Sequence, residues 1–356
     1  MSAVSGLVDL HHHGDRDTAP GLVDLAVNVR LPAPPPWLAD VVADSLRDLG
    51  RYPDPAPATL AIARRHGVDP ACVLPTAGGA EAFTLVARAV PGVHPVVVHP
   101  QFTEPEAALV AAGRAVGRHV LRREDGFGLD PAVFGPQGEN AGADLVVVGN
   151  PTNPTGVLHR ADDLRALRRP GRVVVVDEAF MDAVPGEPES LVGPDLDGVL
   201  VIRSLTKTWG LAGLRAGYVV GDPALVAGLR AVQPPWSVSS PAVAATVACV
   251  SARAVAEAEA AALTYAADRG VLVRALAKAG LSTAAPSHAP FVLVDTSPLG
   301  TGSVREDLAR LGFAVRRGET FPGLGPTWVR MAVRDPETSR AVVAALADLR
   351  RRRRVA

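Results

Sequence analysis

Lysine is nearly missing from this 356-residue chain: of 36 basic residues only Lys207 and Lys278 are lysine, and the other 34 are arginine. Arginine has replaced lysine wherever a positive charge suffices, so a lysine that remains calls for a chemical reason. Arginine stays protonated under working conditions and cannot form an imine, whereas lysine can lose its proton and become a nucleophile. Lys278 falls in the amphipathic stretch Val271 to Ala279 and reads as a solvated helix residue. That leaves Lys207.

Cysteine is equally scarce. Cys72 and Cys249 are the only two thiols and lie far apart, and no basic segment followed by an apolar run opens the chain. Both facts argue against secretion and a disulfide framework, and point to the cytoplasm. Apolar runs such as Ala242 to Val250 stop well short of the roughly 20 residues that a membrane span needs, so a membrane protein is not expected. Net charge is -1 with the basic residues scattered, which leaves no broad footprint for nucleic acid or an anionic membrane. His11 to His13 are adjacent and lack the spaced geometry of a closed metal site, so no metal is expected.

What the chain does have is the composition of a globular protein, 48% hydrophobic and 21% charged, with 34 Gly and 32 Pro marking many sharp loops. Its length exceeds what one hydrophobic core fills, so two lobes are expected. Between about residues 59 and 222, helical stretches alternate with the β-branched runs Pro95 to Val98, Leu145 to Val148, Arg172 to Val176 and Val199 to Ile202. Runs that are apolar throughout suit parallel strands covered on both faces. The fold class is therefore α/β: a large domain with a doubly wound, mainly parallel sheet, plus a smaller α+β domain. The division expected is an N-terminal arm and part of the small domain over 1–44, the large domain over 45–235, and an interlobe helix with the C-terminal small domain over 236–356. Pro241 to Ala279 reads as one long helix. The terminal run Arg350 to Arg354 reads as a solvated helix end whose cations suit the helix dipole.

Ligands of open parallel sheets bind beyond the carboxyl ends of the strands. The four runs are followed by Gln101 and Phe102, by Asn150 and Asn153, by Asp177 and Glu178, and by Ser204, Thr206 and Lys207. Asp177 would emerge from a buried strand into low dielectric and needs a cationic partner there; a protonated pyridine nitrogen would serve. Thr76-Ala-Gly-Gly-Ala-Glu81 precedes a helical run and can offer backbone N–H groups to a phosphate, and Arg215 would add a permanent charge.

Together these parts resemble the class I/II aminotransferases of the pyridoxal-phosphate fold type I. Asn150-Pro-Thr-Asn-Pro-Thr-Gly156 is similar to the N-P-x-N-P-T-G signature, Asp177-Glu-Ala-Phe180 to D-E-A-Y/F, and Ser204-Leu-Thr-Lys207 through Gly213-Leu-Arg215 and Gly217-Tyr218 to S-x-[ST]-K-x(5)-G-x-R-x-G-Y. The resemblance implies that Lys207 carries pyridoxal 5'-phosphate as a Schiff base and that Asp177 pairs with the pyridine nitrogen. It further implies that Asn153 holds the phenolic oxygen, that Phe102 stacks on the ring, and that Gly79, Ala80, Ser204 and Arg215 hold the phosphate. Phe180 lacks the phenol that many relatives place beside that phenolic oxygen. Tyr52 matches a tyrosine that reaches the neighbouring subunit's phosphate, which implies a homodimer with shared active sites.

Within the fold the resemblance is to histidinol-phosphate aminotransferases and to the threonine-phosphate decarboxylases of cobalamin biosynthesis. It implies that Arg330 grips a substrate carboxylate, that Arg316 binds a substrate phosphate, and that Asn28 and His13 assist from the arm. The arm departs from the decarboxylase pattern H-G-G at Asp15, and Ala80 replaces the usual hydroxyl or acidic residue of the phosphate loop. Transamination of a phosphorylated amino acid or amine such as histidinol phosphate is therefore the favoured reading, with decarboxylation of threonine phosphate the alternative. A non-catalytic sensor of the same fold is a third reading; it would carry a DNA-binding helix-turn-helix ahead of the fold, which here resembles the family from Asp24 onward.

Overall fold

The structure of the protein is a computed structural model, described over residues 9–355. Among the described residues, twelve strands form two sheets. In chain order they are β1 (Val23–Leu25), β2 (Val73–Thr76), β3 (Pro95–His99), β4 (Gly117–Val120), β5 (Leu145–Gly149), β6 (Val173–Asp177), β7 (Val199–Ser204), β8 (Gly217–Gly221), β9 (Ser282–Thr283), β10 (Phe291–Asp295), β11 (Phe313–Arg317) and β12 (Trp328–Ala332). The large sheet has the order β2-β8-β7-β6-β5-β3-β4, with β8 antiparallel to both neighbours and the remaining strands parallel to one another.

The uninterrupted apolar runs explain why this sheet is covered on both faces. Val97, Val147, Val175 and Leu200 point into one cluster, beneath the helix Gly78–Ala89 with its Phe83 and Val86. Val96, Val98, Val146, Val148, Val174, Val176 and Val201 alternate into a second cluster on the opposite face with Phe134 and Leu164. Each buried valine contributes about 1.5–3 kcal/mol of burial free energy, so losing either layer would expose the sheet.

The small sheet has the order β1-β11-β12-β10-β9. Its first strand comes from the N-terminal arm and pairs in parallel with β11, Asp24 opposite Ala314. The other pairings are antiparallel, and Arg330 on β12 stands opposite both Leu293 of β10 and Arg316 of β11.

Two expectations are corrected. The stretch from Pro241 to Ala279 is two helices, Ser240–Cys249 and Ala252–Lys278, bent by 71° at the break. Ser251 is the cause: its side chain accepts from the backbone N–H of Ala254 and starts the second helix anew. The C-terminal arginines are not simply solvated. The helix Pro336–Val355 runs through them, Arg350 donates to the carbonyl of Ala279, and Arg353 reaches Leu299 O and Asp307. Among the described residues, no single helix is long and apolar enough to cross a membrane.

Candidate active site

The carboxyl ends of β6 and β7, the loops after β3 and β5, and the start of the helix Gly78–Ala89 meet the arm and the strands β11 and β12 around a cavity of about 410 Å³. Gly79, Ala80, Ser204 and Arg215 lie along one wall. Gly78 takes φ +76°, and a Cβ on it would stand 2.6 Å from Arg215 Nη2, so only glycine lets that guanidinium lie against the helix start. Arg215 itself adopts a left-handed conformation, and its Nη1 donates to Ala212 O at 3.0 Å. Ser204 Oγ and Thr206 Oγ1 are 2.8 Å apart, while the first N–H groups of the helix have no partner within it. The set is a cradle for one phosphate.

Asp177, at the end of β6, is half-buried, and its Oδ1 accepts from Ala179 N at 3.1 Å. Burial is the main influence on its carboxyl and lifts it to about 6, against the opposing pull of the Ala179 N–H and of Lys207. Lys207 is pushed the other way. Burial first, then the charges of Arg330 and Arg215, lower its ammonium to about 8, while Asp177 and Asp15 hold it up. A carboxylate that seeks a buried cation and a lysine that gives up its proton more readily than usual thus face one cavity.

Across from them, Arg330 is 5% exposed. Its Nη1 donates to Asn153 Oδ1 at 2.6 Å, its Nη2 donates to Ala26 O, and its plane lies 5.2 Å over Phe291. Burial above all, then Arg316, lowers its guanidinium to about 9. Arg316 also lines the cavity, but its Nη1 is paired with buried Asp17 at 3.0 Å and its Nη2 donates to His12 O. Asn28, His13, Phe102 and Phe180 complete this side. The ring of Phe102 lies 5.5 Å from that of His13, and Phe180 meets Phe291 edge-to-face at 5.0 Å.

Tyr52 is the one expected site residue that does not line the cavity. It is 76% exposed and stacks on Trp236 at 4.3 Å. Sequence reasoning missed two acids: Asp15, which lines the cavity, and Asp17, which engages Arg316. Asp15 was visible only as a departure from a motif, and Asp17 gave no signal, because its partners Arg316 and Arg317 lie about 300 residues away.

Four groups on these walls are buried without a hydrogen-bond partner: Asn28 Nδ2 and Oδ1, His13 Nδ1 and Arg330 Nε. Unsatisfied buried polar atoms in a cavity mark positions where a ligand completes the bonding. Together with the glycine cradle and Asp177, they fit a phosphorylated pyridine aldehyde and an anionic substrate. A larger open cleft of about 820 Å³ lies at the opposite, amino ends of the strands, but its arginines Arg165 and Arg168 are engaged with Asp162 and Asp195 and its Arg172 with backbone carbonyls.

Comparison with known proteins agrees with this geometry. Residues 20–346 match the family described as Aminotransferase class I and II. A histidinol-phosphate aminotransferase of Mycobacterium tuberculosis is 46% identical over 351 residues, which covers 98% of this chain and 93% of that protein. A threonine-phosphate decarboxylase of Salmonella typhimurium is 29% identical over 336 residues, 92% of this chain and 91% of that protein. Among solved structures, the aspartate aminotransferase of Thermus thermophilus with maleate superimposes with a TM-score of 0.80 at 26% identity, covering 92% of each chain. The chain belongs to the class I and II aminotransferases and is a pyridoxal-phosphate-dependent enzyme.

Proposed function

We propose that the protein transfers the amino group of histidinol phosphate, or a close phosphorylated relative, to a 2-oxo acid. In this reading Lys207 anchors the cofactor, Asp177 holds the proton on its ring nitrogen, Asn153 and Phe102 fix the ring, and Gly79, Ala80, Ser204 and Arg215 hold its phosphate. Bound there, the cofactor supplies an aldehyde for the substrate amine and an electron sink for charge left at Cα. Lys207, whose ammonium is lowered to about 8 so that a neutral amine is accessible near physiological pH, takes the Cα proton and returns it at the far end of the transferred system. Arg330 orients the anionic end of the substrate through a fixed pair of N–H groups.

The observation that favours this substrate over threonine phosphate is the 46% identity across 98% of the chain to a histidinol-phosphate aminotransferase, against 29% to a threonine-phosphate decarboxylase. The Arg316–Asp17 pair leaves Arg330 as the cavity's one substrate-facing guanidinium without an acidic partner among the described residues. A phosphate monoester carries about 1.5–2 negative charges at neutral pH, and Arg330 is placed to meet them.

A homodimer is part of the proposal: Tyr52 and Trp236 stack in an exposed aromatic pair suited to a second subunit, which would place Tyr52 at the partner's phosphate. Catalysis in the cytoplasm suits the two free thiols. The test is to incubate the purified enzyme with histidinol phosphate plus 2-oxoglutarate and, separately, with threonine phosphate. Glutamate formation in the first and no carbon dioxide in the second is expected; carbon dioxide without glutamate would overturn the assignment.

A further inference from the structure

Asp15 is an acid on the cavity wall that neither the cofactor sites nor the packing uses. It sits in a short 3-10 turn, Gly14–Asp17, and among the described residues no hydrogen bond or ion pair engages its carboxylate. The turn around it is fixed. His12 O accepts from Arg316 at 2.6 Å, His13 Nε2 lies 3.4 Å from Glu104, and Asp17 holds both Arg316 and Arg317. At Gly14 a Cβ would stand 2.6 Å from Ala26 O, so the backbone itself is pressed against the chain leaving β1. Asp15 is therefore displayed toward the cavity on a rigid support, and it is near enough to Lys207 for its charge to be felt there.

Two neighbours on the cavity wall share its character. His13 Nε2 lies 3.4 Å from the Glu104 carboxylate, and its Nδ1 is buried and unpartnered on the cavity side. Asn28 is 7% exposed and offers an unpartnered Oδ1 beside its Nδ2. An unpaired carboxylate thus stands on the same wall as a ring nitrogen and an amide that have no partners. The unpaired Asp15 carboxylate accepts N–H donors, and the buried amide of Asn28 loses a hydrogen bond if it is left unmatched.

We propose that Asp15 is a specificity residue: with His13 and Asn28 it favours substrates whose side chain carries N–H donors, an imidazole or a similar nitrogen heterocycle. This rests on the site being that of a phosphorylated amine, as argued above, and it names the feature of the substrate that the arm reads. The departure from glycine at this position then acts in recognition.

The experiment uses the cofactor-loaded enzyme and two ligands that lack the amino group and cannot react, 3-(imidazol-4-yl)propyl phosphate and 3-phenylpropyl phosphate, with dissociation constants measured by calorimetry. A hydrogen bond to a charged group corresponds to roughly a 10- to 100-fold preference, and the wild type is expected to favour the imidazole ligand by about that factor. Asp15→Asn and Asp15→Gly are expected to shrink the preference to about twofold or less, with the phenyl ligand bound as before. Asp15 is exposed, so both variants should keep the wild-type unfolding midpoint, which a parallel melt checks. A wild type without preference, or variants that retain it, would overturn the proposal. Glutamate formation by the wild type tests the reaction separately: an enzyme with the preference but no amino transfer contradicts the reaction and leaves the role of Asp15 standing.

Discussion

Arg330 Nη1 donates to Asn153 Oδ1 at 2.6 Å, which ties the small sheet directly to the loop that follows β5 in the large one. In the proposed reading one residue serves the substrate and the other the cofactor, so a single contact would position both ligands. Arg330→Lys keeps the charge but gives up the planar fork. Loss of a charge-assisted bond corresponds to roughly a 10- to 100-fold fall, expected here in kcat/KM for 2-oxoglutarate. Steady-state kinetics measure it, and a change under threefold would show that Arg330 does not carry the carboxylate.

Asp17 holds the arm to the small sheet. It is 6% exposed and is shared by His12 at 3.2 Å, Arg316 at 3.0 Å and Arg317 at 2.9 Å. Burial works against its ionisation, but Arg316 and then Arg317 outweigh it and keep the carboxyl below its usual range. A depressed carboxyl contributes stability above its unfolded value near 4, and that stability is lost as pH falls through the folded value. Asp17→Asn leaves two buried or half-buried guanidiniums without their counterion and should cost about 3–5 kcal/mol in urea unfolding at pH 7. A loss below about 1 kcal/mol would show that the pairs are incidental.

Lys207 allows a pH test with a built-in control, since the chain has only one other lysine and Lys278 is exposed. In the cofactor-free protein, acylation of Lys207 followed by peptide mass spectrometry should rise with pH and reach half its maximum near 8. The direction follows from burial and from Arg330 and Arg215, which favour the neutral amine. A midpoint near 10.5, the ordinary value for lysine, would contradict the reading of this pocket. The same shift means that the protonated lysine destabilises the cofactor-free fold below about pH 8, a penalty relieved as pH rises from 8 toward 10.5.

Much of the site was legible because it lies where sequence and topology coincide. Four uniformly apolar runs announced parallel strands, and the residues just past them, Asp177, Ser204 and Lys207, had to emerge at one edge. The Gly78 turn was legible for the same reason, since a helix follows it directly. β2, β4 and β8 were missed: β2 contains Pro75, β4 is the half-exposed run Gly-Arg-His-Val, and β8 follows directly on the loop that holds Lys207. The substrate side was less legible still. Asp15 and Asp17 sit in irregular backbone whose position depends on Arg316 and Ala26, contacts between chain segments that no local pattern encodes. The helix break at Ser251 shows the converse: a single capping hydroxyl decided against an otherwise continuous alanine-rich pattern.

The claim that everything else depends on is that Lys207 anchors the cofactor and moves the Cα proton. The direct test compares glutamate formation from histidinol phosphate and 2-oxoglutarate by the wild type and by Lys207→Ala, both supplied with pyridoxal phosphate. The wild type should form glutamate and the variant should show none above the uncatalysed rate. A variant that retains turnover would contradict the account.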